Sequence, residues 1–527
     1  MESNVFNIKT RIELKQNVFN YISIAESNVC NQLSEIICII SQNDFPENWP
    51  DLLDNLLVKI SSSDFFSNLV VLKTCHKIFK RYRLEERSDD LYREINFVME
   101  KFGPFLLQMF VGIESMLKSG VSDKNLLVVL LQNATYVNKI FYSLSYQDIP
   151  AFFEDNLMTF MNILMFFFNF QSPLLLSENE DQPGTIEKFT SSVAKIVILY
   201  SSKYEEDFTM LGDFAQATWN ILTSRVTLFP KDDKLTYTCI NFLASVSKQE
   251  RHKAIFQGSL KIICESIIIP NMKIRESDLE IFEDEPMEFI KRDSEGGHDL
   301  SHRHGSAVNL IHGLMEFHST EMTQILCETV NKCLTEYSAS PSKNWKSKLL
   351  ATQIFSAVGA RGYADAFGIT SINPLINITD FFITQVLPDL KTTSDNLHPM
   401  LLLEAIKFVV SYRNQLSKND LVQCIPLLLS HLESDNFIIH TFSAIALEKI
   451  LSIKRGGEEL FTSADISAIV GKLSLSILAL IFNQNSIEKM CENQFLIKGI
   501  IIFICANTYA LLCSFCSCFG TSSSIRY

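Results

Sequence analysis

Glycine and proline are scarce in this 527-residue sequence, which contains 18 Gly and 14 Pro. Both residues are common in the turns that connect β-strands, so a β protein of this length would need more of them. Hydrophobic residues make up 47% of the chain and include 40 Phe, which is enough apolar material for a large or extended core. The composition therefore predicts an all-α protein.

Positive charge is also in deficit, because 46 Lys and Arg stand against 60 Asp and Glu, for a net charge of −14. Proteins that bind nucleic acids usually carry a basic surface that follows the phosphates. The charge balance disfavours nucleic acid as a ligand and favours basic protein partners.

Paired cysteines and catalytic motifs are missing as well. The 13 Cys lie mostly alone on apolar runs, without the spacing of a zinc site, so we expect buried thiols in a reducing compartment. There is no glycine-rich phosphate loop, no Gly-x-Ser-x-Gly elbow and no His-Glu-x-x-His pair. Residues 1–15 are mixed polar, unlike a signal peptide. We expect a chain that enters the cytosol and is not an enzyme, with no cofactor and no metal.

What the sequence does contain is a repeating helical pattern, clearest from Asp420 to Lys454. The apolar stripe of Leu421–Leu432 is followed by a polar turn at Glu433–Asn436. A second stripe then has spacings of three and four residues, at Ile439, Phe442, Ala446 and Ile450. Two such helices match one HEAT repeat of roughly 40 to 47 residues.

The same spacing predicts a further helix, whose apolar face is formed by Leu91, Ile95, Val98, Phe102 and Phe105. Three segments rich in polar residues, Gly or Pro predict loops instead. They are Gln171–Thr185, Glu276–Arg303 and Lys454–Gly457, the last read as a helix stop.

A Trp between two prolines marks the segment Asp44–Leu53, and the aromatic and basic run Phe79–Arg83 follows it. These segments resemble the nuclear transport receptors of the importin-beta superfamily, and within it the exportin-2 family. Further motifs resemble that family in the same order along the chain. They are Phe152–Leu157, Thr218–Leu222, Asn241–Val246, Cys264–Met272, Asn344–Lys348 and His440–Ala444.

The resemblance implies a HEAT-repeat superhelical solenoid of the armadillo-like type, with a family-like region at 1–498 that is incomplete at both ends. It implies a carrier that binds Ran-GTP and importin-alpha, returns importin-alpha to the cytoplasm and shuttles between nucleus and cytoplasm, with nucleoporins as further partners. From the residues alone, Trp49, Trp219 and Trp345 are interpreted as packing anchors rather than ligand contacts.

An acidic block is the first candidate partner-binding site. Clustered carboxylates repel one another unless they meet cations, so the block is suited to a basic partner surface. The resemblance associates this region with Ran, whereas the residues alone favour a solvated loop. The candidate residues are Glu283, Asp284, Glu285 and Glu288, with Lys291 and Arg292 beside them.

A basic stripe with helical spacing is the second candidate. It is explained equally well as an exposed helix face or as a surface for acidic groups of Ran, of cargo or of the solenoid itself, and it is too short for a nucleic-acid site. Its members are Lys73, Lys77, Lys80, Arg81, Arg83 and Arg87, of which Lys80, Arg81 and Arg83 are the candidate contacts.

Two weaker patterns predict no metal. His298, His302, His304 and His312 follow or adjoin a Gly-Gly pair, and no Cys lies nearby, so a polar loop is the favoured interpretation. Cys513 and Cys516 have C-x-x-C spacing without a second half.

The end of the chain breaks the helical pattern, because Gly499–Phe519 contains no charged residue. The run is long enough to span a bilayer, so the alternative function is a membrane-attached helical scaffold. Its Asn, Thr, Ser and Cys argue against an anchor. We expect 499–527 to be a tail outside the family-like region, and a membrane only as a minor alternative.

Overall fold

A computed structural model describes residues 8–22, 27–60, 64–176, 179–294, 300–362, 367–392, 397–462 and 465. The chain divides into two compact units, one of Met1–Gln257 with Leu300–Gly313 and one of Gly258–Asp299 with Leu314–Tyr527. Among the described residues the only strands are β1 (Lys454–Arg455) and β2 (Glu458–Glu459), which pair antiparallel. The all-α prediction is confirmed.

The first unit contains twelve complete α-helices among its described residues, together with the start of a thirteenth. The twelve are α1 Ile8–Tyr21, α2 Ser27–Asp44, α3 Leu52–Val58, α4 Phe65–Lys80, α5 Asp89–Ser119, α6 Lys124–Leu144, α7 Ala151–Asp155, α8 Leu157–Asn169, α9 Thr185–Lys203, α10 Leu211–Ser224, α11 Asp233–Ser247 and α12 Lys253–Phe256. Short 3₁₀ turns occupy Arg81–Arg83, Pro173–Leu175, Pro230–Asp232 and Glu250–His252.

These helices pack in two rows. In one row α2, α4, α6, α9 and α11 lie side by side, and in the other α3, α5, α8 and α10 do. Helices consecutive in the chain join the rows, as α5 packs on α6, α8 on α9 and α10 on α11. Each pair buries one face against its own partner and another against the next pair, which is the arrangement of a HEAT-repeat solenoid. The predicted fold class is confirmed.

The predicted helix around Leu91 is α5. Ser88 caps it by accepting a hydrogen bond from the backbone N–H of Leu91, and Gly120 ends it with a φ of +82°. Leu91, Ile95, Val98 and Phe102 are buried, as their spacing predicted, and Phe105 is half-buried.

The many phenylalanines form the interior of this unit. The ring of Phe141 lies 4.5 Å from that of Phe153 and 4.9 Å from that of Phe160, while Phe110 and Tyr200 lie within 5.8 Å of it. All five are almost completely buried. Such tilted, edge-to-face and stacked pairs add to the free energy of apolar burial, so this cluster fixes how α5, α6, α8 and α9 pack.

The Trp between two prolines lies in the connection from α2 to α3. Trp49 is buried, with the Lys15 ammonium 5.0 Å from its ring centroid. Trp219 and Trp345 are only half-buried, and Trp345 stacks on His398 at 3.5 Å. Trp49 and Trp345 therefore take part in packing, and of the three only Trp49 is fully buried.

The second unit contains the remaining helices. They are α13 Leu260–Ile263, α14 Ile269–Met272, α15 Glu276–Asp284, α16 Pro286–Ser294, α17 Arg303–Ala339, α18 Trp345–Gly359, α19 Ile378–Phe381, α20 Leu387–Lys391, α21 Pro399–Tyr412, α22 Lys418–His431 and α23 Phe437–Leu451. The first turns of α17 belong to the first unit. π-helical turns at Cys264–Ile268 and Phe382–Val386 join α13 to α14 and α19 to α20.

The repeat predicted at Asp420–Lys454 is present as α22 and α23, which pack on each other. Ser417 and Asp420 form a capping box at the start of α22. Asn436, in the predicted turn, caps α23 by accepting from the backbone N–H groups of Ile438 and Ile439.

One loop prediction is wrong. Glu276–Asp284 and Pro286–Ser294 are helices rather than parts of a loop, and α17 begins at Arg303. For Gln171–Thr185 the prediction is confirmed apart from the short turn at Pro173–Leu175, with residues 177–178 outside the described part. The helix before Lys454 stops at Leu451, as expected, although Lys454 and Arg455 form β1 instead of the last helical turn.

Candidate partner-binding surfaces

The acidic block lies on α15 and α16, two short helices with a buried apolar side. Arg275 donates through its guanidinium to both carboxylate oxygens of Asp278, each at 3.0 Å, which fixes the first turn of α15. Phe282 and Ile290 are buried, and the Phe282 ring meets the edge of Phe289 at 5.1 Å. These apolar contacts explain why a segment so rich in carboxylates is helical.

The junction between the two helices exposes three consecutive carboxylates. We call Glu283, Asp284 and Glu285 the acidic junction. All three are exposed, and within the described ranges none of them forms an ion pair. By contrast Glu288 pairs with Arg292 at 3.1 Å, one helical turn away on α16. The structure therefore brings the predicted acidic residues together on two adjoining helices. Of these residues Glu288 is neutralised by Arg292, whereas the acidic junction has no ion pair within the described ranges.

Arg81 of the basic stripe points into the protein. Its guanidinium pairs with Glu85 at 2.8 Å and with Glu94, and the Tyr82 hydroxyl donates to Glu94 at 2.6 Å. Burial raises the pKa of Glu94 above its ordinary value, although Tyr82 and Arg81 both stabilise the carboxylate. Arg81 is thus a structural cation, and the stripe is not one exposed face.

Arg83 lines a cavity beside α6. It donates to Ser143 Oγ at 2.7 Å and to the Lys139 carbonyl oxygen at 3.2 Å, with its guanidinium carbon 4.7 Å from the Tyr142 ring centroid. Lys80 is exposed to solvent, on the last turn of α4.

The other members of the stripe are divided among different partners. Lys77 pairs with Glu35 at 2.7 Å, and the Arg87 guanidinium donates to the Gln147 carbonyl oxygen at 3.1 Å. Lys73 lies over the Tyr136 ring at 5.9 Å.

Sequence reasoning missed four lysines that surround the same cavity as Arg83. Lys139 of α6, Lys188 and Lys195 of α9 and Lys234 of α11 line a space of about 160 Å³ together with Arg83. We call it the basic cavity. The lysines are far apart in the sequence and lie on neighbouring helices of one row, so only an alignment of the repeats against one another would have shown that they converge.

Burial and mutual repulsion lower the pKa values of several basic groups that line this cavity. Burial, followed by the charges of Lys234 and Lys195, lowers the pKa of Lys139 to about 8. Burial and the nearby cations also lower the pKa of His76, another lining residue, to about 3, so its imidazole is neutral at pH 7. The cavity has an excess of positive charge that the protein does not neutralise there.

No group of His, Cys, Asp and Glu that is suited to a metal occurs among the described residues. His302 instead caps the start of α17, its Nδ1 accepting from the backbone N–H of Gly305 at 2.8 Å. His298, Cys513 and Cys516 lie outside the described ranges. Of the eight described cysteines seven are buried, as expected, and Cys327 is half-buried.

None of the helices in the described part of the chain is long and apolar enough to cross a membrane. The uncharged run Gly499–Phe519 lies beyond the described residues.

Comparison with known proteins gives a consistent match. The family model Cse1 matches residues 78–447. Exportin-2 of Mus musculus is 36% identical over 497 residues, which cover 93% of this chain and 50% of that protein. The importin-alpha re-exporter of Schizosaccharomyces pombe is 35% identical over 501 residues, covering 95% and 52%. The chain therefore spans about half the length of the curated relatives it matches.

Solved structures agree in fold. The exportin Cse1 in its cargo-free, cytoplasmic state superposes with a TM-score of 0.85 at 33% identity, over 94% of this chain and 52% of that one. Lph2, a bidirectional nuclear transport receptor of S. cerevisiae, gives a TM-score of 0.60 at 14% identity over 91% of this chain and 49% of that one, which shows a shared fold alone.

Proposed function

The chain belongs to the Cse1 family of exportins, which are transport receptors and not enzymes, and on that basis we propose that it is a nuclear transport receptor that binds Ran-GTP and importin-alpha and returns importin-alpha from the nucleus to the cytoplasm. One observation carries the proposal, namely 33% identity combined with a TM-score of 0.85 to the exportin Cse1 over 94% of the chain. The resemblance seen in the sequence motifs is thereby extended to nearly the whole chain.

The physical character of the molecule supports such a role. Stacked helical pairs offer extended surfaces rather than enclosed pockets, and the net charge of −14 favours basic protein partners. The mechanism we propose is linkage. Ran-GTP and importin-alpha favour the same conformation of the receptor, so each raises the affinity for the other by the same factor until GTP is hydrolysed.

The proposal is tested with the purified chain and purified partners. We expect its affinity for importin-alpha to rise by at least fivefold when Ran loaded with a non-hydrolysable GTP analogue is present, and to stay unchanged with Ran-GDP. A dissociation constant that is the same under both conditions contradicts the linkage. Absence of binding to both proteins at micromolar concentration contradicts the function itself.

Since the chain spans about half the length of its relatives, we propose that it binds both partners more weakly than a complete receptor does. We also propose nucleoporins as further partners and shuttling between nucleus and cytoplasm. A fluorescent fusion tests the last point, because photobleaching of the cytoplasm should deplete the nuclear signal within minutes if the protein shuttles.

For the organisation of the chain, we propose that residues 1–498 are the family-like region and that 499–527 form a tail outside it. The run Gly499–Phe519, with no charged residue, is the reason for this boundary. Deleting 499–527 should leave the affinity for importin-alpha unchanged within twofold. A loss of tenfold or more places the tail within the binding region, and release from membranes on deletion supports the scaffold alternative instead.

A further inference from the structure

The basic cavity collects cations from four consecutive elements of one row of helices. Arg83 follows α4, Lys139 lies on α6, Lys188 and Lys195 lie on α9, and Lys234 lies on α11. Their side chains converge on one space of about 160 Å³. The cavity therefore concentrates at one place five cations that are far apart in the sequence.

No acidic side chain neutralises the cations of this cavity. The lining of the cavity contains neither Asp nor Glu, and among the described residues none of its five cations forms an ion pair. Arg83 and Lys139 are half-buried, whereas Lys188, Lys195 and Lys234 are exposed. Some other half-buried cations among the described residues have a carboxylate partner, as Arg81 has Glu94 and Lys77 has Glu35. In a chain of net charge −14, this concentration of cations without ion pairs favours the binding of an external anion that offsets their repulsion.

Aromatic and polar groups hold the cations in position. Arg83 rests on Tyr142, and the Lys139 ammonium lies 4.4 Å from the ring centroid of Tyr136. The neutral His76, which also lines the cavity, has a buried Nδ1 with no hydrogen-bond partner among the described residues. The cavity is thus partly organised before any ligand enters, which lowers the entropic cost of binding.

We propose that the basic cavity is a docking site for a carboxylate-rich peptide segment of a protein partner. Five cations around one space carry more positive charge than a single small anion offsets, so a peptide with several carboxylates suits the cavity better. A space of about 160 Å³ accepts carboxylate side chains one or two at a time, but not stacked bases. The negative net charge of the rest of the chain further disfavours a long nucleic acid.

This inference does not rest on export activity, because it concerns the chemistry of one cavity within the first unit. A direct test uses a fluorescein-labelled twelve-residue peptide of alternating Glu and Gly, with a Gln and Gly peptide as the reference. Fluorescence anisotropy at low salt should show binding of the acidic peptide at least tenfold tighter than of the neutral one. The difference should shrink as salt rises.

The assignment to this cavity is tested by the double substitution Lys195→Glu and Lys234→Glu. Both side chains are exposed, so the variant should fold, which circular dichroism and the unfolding midpoint verify. We expect its affinity for the acidic peptide to fall at least tenfold.

The matched control is Lys118→Glu with Lys253→Glu, which makes the same charge change in the same unit. Both control lysines already pair with carboxylates, Lys118 with Glu114 and Lys253 with Glu250, so the loss should stay within threefold. Equal losses in the two variants, or equal binding of the acidic and neutral peptides, overturn the site. A twelve-nucleotide single-stranded DNA that binds the unmodified protein more tightly than the acidic peptide overturns the ligand class in favour of nucleic acid.

Discussion

The Lys348 ammonium and the Asp389 carboxylate form an ion pair of 2.5 Å between α18 and α20, in a place where the two side chains are only 5% and 9% exposed. The ring of Tyr337 lies 4.9 Å from the same ammonium. Two opposite charges at this depth stabilise each other only as long as both are present, since removing one leaves the other buried without a partner.

Replacing Lys348 with Met should therefore lower the stability of the second unit by about 3–5 kcal/mol, as expected for a broken buried pair. Lys346→Met is a matched control on the same helix, because Lys346 pairs with Glu276 where the two side chains are 41% and 79% exposed. The control should cost at most about 1 kcal/mol. Urea unfolding followed by circular dichroism measures both, and equal costs would show that the buried pair has no special weight.

Helix periodicity predicted the fold because it is a local property. The pairs of apolar stripes at Leu421–Leu432 and after Ile439 needed only a polar turn between them to identify a repeat. The same reasoning failed at Glu276–Asp284, where seven carboxylates in the thirteen residues from Glu276 to Glu288 suggested a loop. Buried Phe282 and Ile290 hold that segment in helices, and charge on the opposite side does not prevent it.

The binding surfaces were less predictable because their partners come from other repeats. Nothing in the sequence shows that Arg81 reaches Glu94 while Arg83 lies beside Lys139. Two adjacent cations of the predicted stripe thus have different roles, and the lysines that complete the basic cavity are contributed by α6, α9 and α11.

Buried thiols should be unreactive in the folded protein. Burial raises the pKa of Cys239, Cys264 and Cys424 to about 12, so at pH 8 only about one thiol in 10⁴ is ionised. We expect iodoacetamide at pH 8 to label these three only after denaturation. Half-buried Cys327 should react earlier. Mass spectrometry of the labelled peptides measures each site, and rapid labelling of Cys239 in the folded protein contradicts its burial.

The same raised pKa values predict a loss of stability at high pH. Unfolded thiols ionise near pH 8.5, whereas the folded ones stay protonated to about 12, so the unfolded state gains free energy of ionisation between these values. The contribution of the thiols is fully present below pH 8.5 and decreases above it. The unfolding midpoint should therefore be lower at pH 9.5 than at pH 8. This decrease should be smaller in a Cys239→Ala variant, when each protein is compared with itself at pH 8.

Two helical glycines should respond to alanine in opposite directions. A Cβ at Gly313 would overlap Ser247 Oγ and lie 2.9 Å from the Ala244 carbonyl oxygen, whereas nothing lies within 4 Å of a Cβ at exposed Gly112. We expect Gly313→Ala to destabilise the first unit by about 1–3 kcal/mol through overpacking. Gly112→Ala should stabilise it by about 1 kcal/mol, because alanine favours the helix. Urea unfolding measures the change in the free energy of unfolding of each variant. Equal changes in the two variants contradict the close contact at Gly313.

The acidic junction should contribute to the binding of a basic partner surface, and on the proposed function that partner is Ran-GTP. Replacing Glu283, Asp284 and Glu285 with Lys reverses three exposed charges that form no ion pair within the described residues. Exposed charge pairs contribute about 0.2–1 kcal/mol each, so we expect the affinity to fall about tenfold at low salt. The loss should become smaller at physiological salt, where charges are screened over roughly 8 Å.

Reversal of Glu47, Glu100 and Glu154 to Lys is the matched control for this variant. These residues are also exposed, and the triple substitution changes the net charge equally. Titration of labelled Ran-GTP with each variant at two salt concentrations separates a local contact from a general charge effect. If the acidic junction acts only through the net charge of the protein, both triple substitutions should weaken binding by the same factor. Only a larger loss in the junction variant places the basic partner at the ends of α15 and α16.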